Sequence, residues 1–117
     1  MFDQATELID VRAAEYSGLD PVSPFDRGAS ASGNSASASS GNVTTTAASE
    51  LVFGAGYGGA FSAAGSGFTS RIITVPNGDI AEDRLVTTIG SYAATAILSA
   101  PSFWVMQVAT FKAAGQA

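Results

Sequence analysis

In the second half of this chain apolar and polar positions alternate with a period of two rather than 3.6, which predicts pleated strands. Val43-Thr44-Thr45-Thr46 is a β-branched run, and Glu50-Leu51-Val52-Phe53 is a short apolar run stopped by Gly54, too short to pack as a helix. Residues 68–75 form another β-branched stretch, bounded by Gly67 and by Pro76-Asn77-Gly78-Asp79. Asn-Gly between two such runs is a strong local hairpin signal, so residues 80–89 are predicted to return as the partner strand, with Gly90-Ser91 marking the next turn. Residues 92–98 alternate small and large, and Ala100-Pro101 is expected to turn the chain into a last strand at residues 103–112. There Phe103, Val105, Gln107, Ala109 and Phe111 share one face, and Trp104, Met106, Val108 and Thr110 the other. Both faces are largely apolar, which predicts a central strand covered on both sides, with Trp104 in the core.

The hairpin also predicts a register. A three-residue loop at Pro76-Asn77-Gly78 sets Val75 against Asp79 and Arg71 against Asp83, whereas a two-residue Asn77-Gly78 loop sets Arg71 against Arg84. Like charges directly opposed are unfavourable, so the first register is expected, with Arg71 near Asp83 or Glu82.

The first 42 residues give weaker signals. Residues 5–16 read either as a strand, with Ile9, Val11 and Ala13 on one face, or as a weak helical stripe through Leu8, Val11 and Glu15. Turn chemistry follows at Ser17-Gly18-Leu19-Asp20-Pro21 and again at Ser23-Pro24-Phe25-Asp26. Residues 28–42 are almost wholly Gly, Ala, Ser and Asn, a composition that suits a loop or a polar edge strand.

Composition sharpens this picture by exclusion. The length of 117 residues suits one domain, 1–117. There is no Cys and no His, so disulfide scaffolds, thiol nucleophiles, His-based triads and Cys/His zinc sites are not expected, and no cofactor is. Ala, Gly, Ser and Thr supply 60 residues, and most of the larger apolar side chains come after Glu50. The net charge is −5, and the five cations, Arg12, Arg27, Arg71, Arg84 and Lys112, are scattered, which argues against a nucleic-acid partner. No run of about 18 apolar residues encodes a membrane span. The first ten residues lack the basic start and apolar stretch of a signal peptide.

Five motifs could carry chemistry. Gly54-Ala55-Gly56-Tyr57-Gly58-Gly59 matches the G-x-G-x-x-G of dinucleotide-binding units, and Asp79 lies 20 residues beyond it. The helix that such a unit needs has no room in the Gly-rich residues 60–67, so a flexible interstrand loop is the expected reading. Asp79, Glu82 and Asp83 could hold a calcium ion, but a hairpin cluster of acids more often forms a solvated edge. Paired carboxylates for glycoside cleavage, Asp20 with Asp26 or Glu82 with Asp83, are formally available, yet nothing raises one acid above the others, and no enzyme is expected. Exposed aromatics could stack on sugar rings, with Tyr57 in its Gly-rich loop the best placed and Tyr16 second. Asn42-Val43-Thr44 is an N-x-T acceptor pattern.

Several segments in order, Ile9-Asp10-Val11-Arg12-Ala13-Ala14-Glu15-Tyr16-Ser17-Gly18-Leu19-Asp20-Pro21, Val43-Thr44-Thr45-Thr46, Glu50-Leu51-Val52-Phe53-Gly54, Gly67-Phe68-Thr69, Asp79-Ile80-Ala81-Glu82-Asp83-Arg84, Gly90-Ser91-Tyr92 and Trp104-Val105-Met106-Gln107, resemble a β-sandwich module of large secreted or surface proteins of bacteria. The resemblance implies a non-catalytic extracellular module and makes the first segment a strand. It further implies that strands ahead of the Glu-Tyr-Ser-Gly-Leu-Asp segment are missing. The expectation is therefore an all-β chain, an antiparallel, jelly-roll-like β-sandwich, either a fragment of a longer protein or a subunit that completes its sheet with another chain. Its function would be structural or adhesive at the cell exterior. Its partners would be other domains or copies of the chain, joined by strand or sheet packing; the alternative is a carbohydrate-binding module that meets glycans through Tyr57 and Tyr16.

Overall fold

In a computed structural model the described residues are 16–75 and 77–115. Residues 5–15 of the expected first strand, 5–16, and Pro76 of the expected hairpin loop lie outside them. The described chain is all-β and antiparallel, with strands β1 (Phe25–Ser39), β2 (Val43–Thr44), β3 (Glu50–Gly58), β4 (Phe61–Ala64), β5 (Thr69–Ile73), β6 (Ile80–Val86), β7 (Ser91–Tyr92) and β8 (Thr95–Lys112). Among the described residues no helix is long and apolar enough to cross a membrane. The main sheet is open and runs β1-β8-β3-β6-β5, with β4 added beside the first part of β8; β2 and β7 form a separate pair.

The sheet is built around β8, which lies against β1 for most of its length, β3 along its second half and β4 along its first. Trp104, Met106, Val108 and Thr110 of β8 all point to one side and are buried. The register sets Val52, Gly54, Gly56 and Gly58 of β3 beside them on that inner side, and Ala29, Ala31 and Gly33 of β1 on the other flank. Ile80 and Glu82 of β6 continue the same row. Over this face lie Val43 of β2, Phe61 of β4, Ala94, and Ala96 and Leu98 of β8, all buried in one core. Thr45 and Gly90 tie the small β2-β7 pair together: the Thr45 N–H donates to the Gly90 carbonyl at 3.0 Å, and the Gly90 N–H donates to Thr45 Oγ1 at 3.1 Å.

Glycine on β3 lets this covering layer approach. A Cβ at Gly54 would sit 2.7 Å from Ala94 Cβ and 2.8 Å from Glu82 Oε2, and one at Gly56 would sit 2.7 Å from Phe61 Cζ. Real side chains do not pack that closely, so a larger residue would push the layers apart. The G-x-G-x-x-G segment is therefore a buried strand whose alternate glycines face the second layer, and not the flexible interstrand loop expected from composition.

Four further expectations are corrected. Phe25 and Asp26 begin β1 and do not lie in a turn; β1 then continues through the Ser/Ala/Gly segment as the edge strand that its composition allowed. Pro101 does not turn the chain into a new strand: β8 runs through it. Proline is tolerated there because the β1 register shifts between Ser35↔Ser102 and Ser37↔Ile97, an irregularity that leaves Pro101 without a ladder partner to which it would donate. The hairpin register also differs. Ile73 opposes Ile80 and Thr69 opposes Asp83, with a bulge between Ser70 and Ile72 that takes in Arg71. The strands already pair one residue off the expected register at the turn, and the bulge adds a second step, so Arg71 does not oppose Asp83 directly, yet their side chains still meet, at 2.8 Å.

The last correction concerns β8 itself. It is central, but only one face is covered. On the outer face Phe103 is 49% exposed, Gln107 is exposed, and Val105, Ala109 and Phe111 are half-buried. The alternation that looked doubly apolar reflects a core on one side and an open face on the other.

The contact between layers gives a direct test. Gly54→Ala should lower the unfolding free energy by about 1–3 kcal/mol, the usual effect of overpacking, as read from urea unfolding. Unchanged stability would mean that the second layer does not rest on β3.

Candidate functional site

Two surfaces and three acidic positions could carry function, and alternation along β6 decides which side each acid faces. Asp83 opposes Phe53 and faces outward, whereas Glu82 opposes Gly54 and faces the core. Asp79 lies in the turn before β6, where its N–H donates to Thr74 Oγ1 at 2.9 Å and its carbonyl accepts the Thr74 N–H at 2.8 Å. All three are buried, so they are not the solvated hairpin edge that sequence suggested. Nor do they converge: among the described residues no group of three or more acids could hold a metal ion.

Asp83 is satisfied by charge and hydrogen bonds. Arg71 Nε and Nη2 donate to its two oxygens at 2.8 and 2.9 Å, and Tyr16 Oη donates at 2.5 Å. The Arg71 fork, which reaches Asp83 from solvent, holds the carboxyl below its ordinary range even though burial works the other way. Burial and the bond to Asp83 together push the Tyr16 phenol up to about 12. Tyr16 also stands edge-on to Phe53, with centroids 6.3 Å apart. It is a strut tying the segment before β1 to the outer face, and its hydroxyl is committed.

Glu82 has no cation beside it. Gly65 N–H donates to Oε1 at 3.2 Å, while Oε2 finds no hydrogen-bond partner among the described residues. Burial, reinforced by the charge of Asp83, pushes its carboxyl up to about 7 despite the Gly65 bond. Glu50 behaves similarly: burial and then the neighbouring Asp26 raise it. Burial would raise Asp26 as well, but bonds from Glu50 and from the N–H and hydroxyl of Thr46 outweigh it and hold Asp26 low. Asp20 instead caps the turn before β1, accepting N–H bonds from Val22 and Ser23 at 2.9 and 3.2 Å.

Neither carboxylate pair considered for hydrolysis forms an open site. Asp20 is occupied by local turn bonds and Asp26 by the N–H and hydroxyl of Thr46, and Glu82 and Asp83 face opposite sides of the sheet.

The aromatics divide differently. Tyr57 is on β3, not in a loop, and is 55% exposed on the outer face, edge-on to Phe103 at 5.9 Å. At the other end of that face Phe25 and Phe111 form a second edge-on pair at 6.0 Å. Between them is a depression of about 490 Å³ lined by Gly28, Ser30, Phe53, Ala55, Gln107 and Ala109 among others. Sequence reading found Tyr57 but missed Phe103 and Gln107, because both were assigned to a covered face. Trp104 lies in the core as expected, its Nε1 donating to Ser35 Oγ at 3.2 Å. Asn42 is exposed just after β1.

Comparison of the chain with protein-family profiles, curated proteins and solved structures finds no match.

The position of Glu82 predicts the pH dependence of stability. A carboxyl raised from 4.5 to about 7 in the folded chain keeps its proton longer than in the unfolded one. Its contribution is therefore full below about pH 4.5 and is lost as pH rises to about 7, an effect of about 1–3 kcal/mol after allowing for residual solvent screening. The acids that are held low act in the opposite sense, at more acidic pH. Urea midpoints of the wild type should fall between pH 5 and 7.5, and Glu82→Gln should flatten most of that slope; an unaltered slope would show that Glu82 is not the group responsible.

Proposed function

We propose that this chain is a non-catalytic structural and adhesion module of the bacterial cell exterior that extends its main sheet onto a second copy through β1. The observation that carries this reading is the contrast between the two sheet edges. At one, β5 is short, bulged and guarded by Arg71. At the other, β1 has 15 residues and pairs only with β8 among the described strands. Its pairing with β8 shifts register between Phe25 and Gly28 and between Ser35 and Ser37, but from Gly28 to Ser35 it runs unbroken and contains no charged residue and no proline, two of the devices that keep an edge from pairing. Its outward side chains, Ser30, Ser32 and Asn34, are small and uncharged, so two antiparallel copies of this edge could meet without like-charge contact.

Two other features support the reading. Among the described residues the buried acids are engaged in internal bonding or sequestered in the core, and neither carboxylate pair considered for hydrolysis is open. The exterior setting is supported by the resemblance of the Glu-Tyr-Ser-Gly-Leu-Asp and Asp-Ile-Ala-Glu-Asp-Arg segments to modules of secreted and surface proteins.

Light scattering coupled to size exclusion tests the pairing. At micromolar concentration the wild type should have twice the mass of one chain, and Ser32→Lys, which places a charge at the exposed edge, should shift it to one. A wild type that is monodisperse as a single chain, with a cooperative thermal transition, would overturn the proposal.

A further inference from the structure

We infer that the open outer face of the main sheet binds a neutral saccharide, seated in the depression over the middle of β1, β8 and β3. This goes beyond edge pairing, because it uses the face of the sheet and not its backbone edge. The register lays the face out in rows. Ser30, Gln107 and Ala55 form one row, and Gly28, Ala109 and Phe53 the next. Ser32, Val105 and Tyr57 lie on the far side of the first row, about 7 Å on, with Asn34 and Phe103 beyond them.

Small side chains make the floor, which leaves a shallow, open depression at the centre of the face. Its volume of about 490 Å³ falls in the range of small-molecule sites, about 300–1,000 Å³. Phe53 stands along one side, and the Tyr57–Phe103 pair at one end is half-exposed. Exposed aromatic rings held by neighbouring rings provide apolar faces for the C–H side of a pyranose. Gln107 offers an amide that both donates and accepts, and Ser30 a hydroxyl; both are exposed, and no hydrogen bond among the described residues engages either side chain. Apolar ring faces beside free hydroxyl and amide groups match a sugar, which carries both kinds of surface.

The charge pattern and shape narrow the ligand. None of the residues lining the depression is charged, in a chain whose net charge is −5, so an anionic polysaccharide would meet no cation there and a repulsive field overall. A second copy is a poor occupant, since a two-fold face-to-face contact would set depression against depression and leave a void.

Affinity electrophoresis of the whole chain through gels containing hydroxyethylcellulose, laminarin, xylan or galactomannan, with alginate as the acidic comparison and pull-down on insoluble chitin, tests the site. At least one neutral polymer should retard or capture the wild type, and alginate should not. Gln107→Ala and Tyr57→Ala should each weaken that binding about tenfold or more, the loss expected for one well-placed contact. Val75→Ser, at a 93% exposed position in the β5–β6 turn, should leave it unchanged. Gln107 is exposed, so its replacement tests the face without disturbing the core. No binding to any of these neutral polymers, preference for alginate, or wild-type binding by both Gln107→Ala and Tyr57→Ala would overturn the inference.

Discussion

One constraint organises the molecule: the inner side chains of β8 must be covered, and the cover can reach them only because β3 presents glycine beside them. Trp104, Met106 and Val108 are large, and the strands flanking them offer Gly33, Gly54 and Gly56 at the matching positions. Large residues on the central strand and none on its neighbours give a surface into which Phe61 can press. The ring of Trp104 makes the same use of β1, because a Cβ at Gly33 would sit 2.5 Å from its Cζ2. A chain this rich in Gly and Ala gains little from each small residue by burial. Close contact between layers recovers part of that deficit through dispersion, since every atom at contact distance contributes.

The same constraint explains where the acids can be tolerated. The inner face is tight and dry, so Glu82 and Glu50 there rest on raised carboxyl values and sparse N–H bonds. On the outer face Asp83 keeps its charge because Arg71 can reach it from solvent and Tyr16 can lie across it. Two adjacent residues of one strand thus follow opposite electrostatic rules, and the difference comes from strand alternation alone. Arg84, on the inner side of β6, is accommodated in a third way: its guanidinium lies over the rings of Phe68 and Tyr92 at 5.7 and 5.4 Å.

Features set by local chemistry were legible in the sequence. The all-β antiparallel class, the runs that become β3, β5 and β6, the hairpin joining the last two, the core place of Trp104 and the meeting of Arg71 with Asp83 all follow from alternation, turn residues or charge. What could not be read depends on partners distant in the chain. Glycines that look flexible in sequence are strand residues when a second layer requires their missing side chains. Pro101 looks like a stop unless the β1 ladder is known to skip that position. A longer turn and the bulge at Arg71 together shift the register, while the long Arg71 side chain preserves the contact, so a correct neighbour emerged from an incorrect alignment. Aromatics carry no mark of which side is covered: Trp104 and Phe103 are adjacent, and alternation separates them without saying which of the two faces solvent. The candidate site was legible only in Tyr57, because its other members are defined by which face of β8 stays open.

That open face and the β1 edge are products of one arrangement, and they suit different kinds of contact. An edge offers backbone groups at fixed spacing, so it recognises another strand almost regardless of side chains. A face offers only side chains, so its selectivity depends on what they carry: here hydroxyl, amide and aromatic groups around a small-residue floor. The residues that serve both are the outward serines of β1. Their size leaves room for the depression on the face, and they add no charge to either surface. A bulkier or charged residue at Ser30 would fill the depression and guard the edge together, so the small, uncharged composition of β1 is the common condition for either contact.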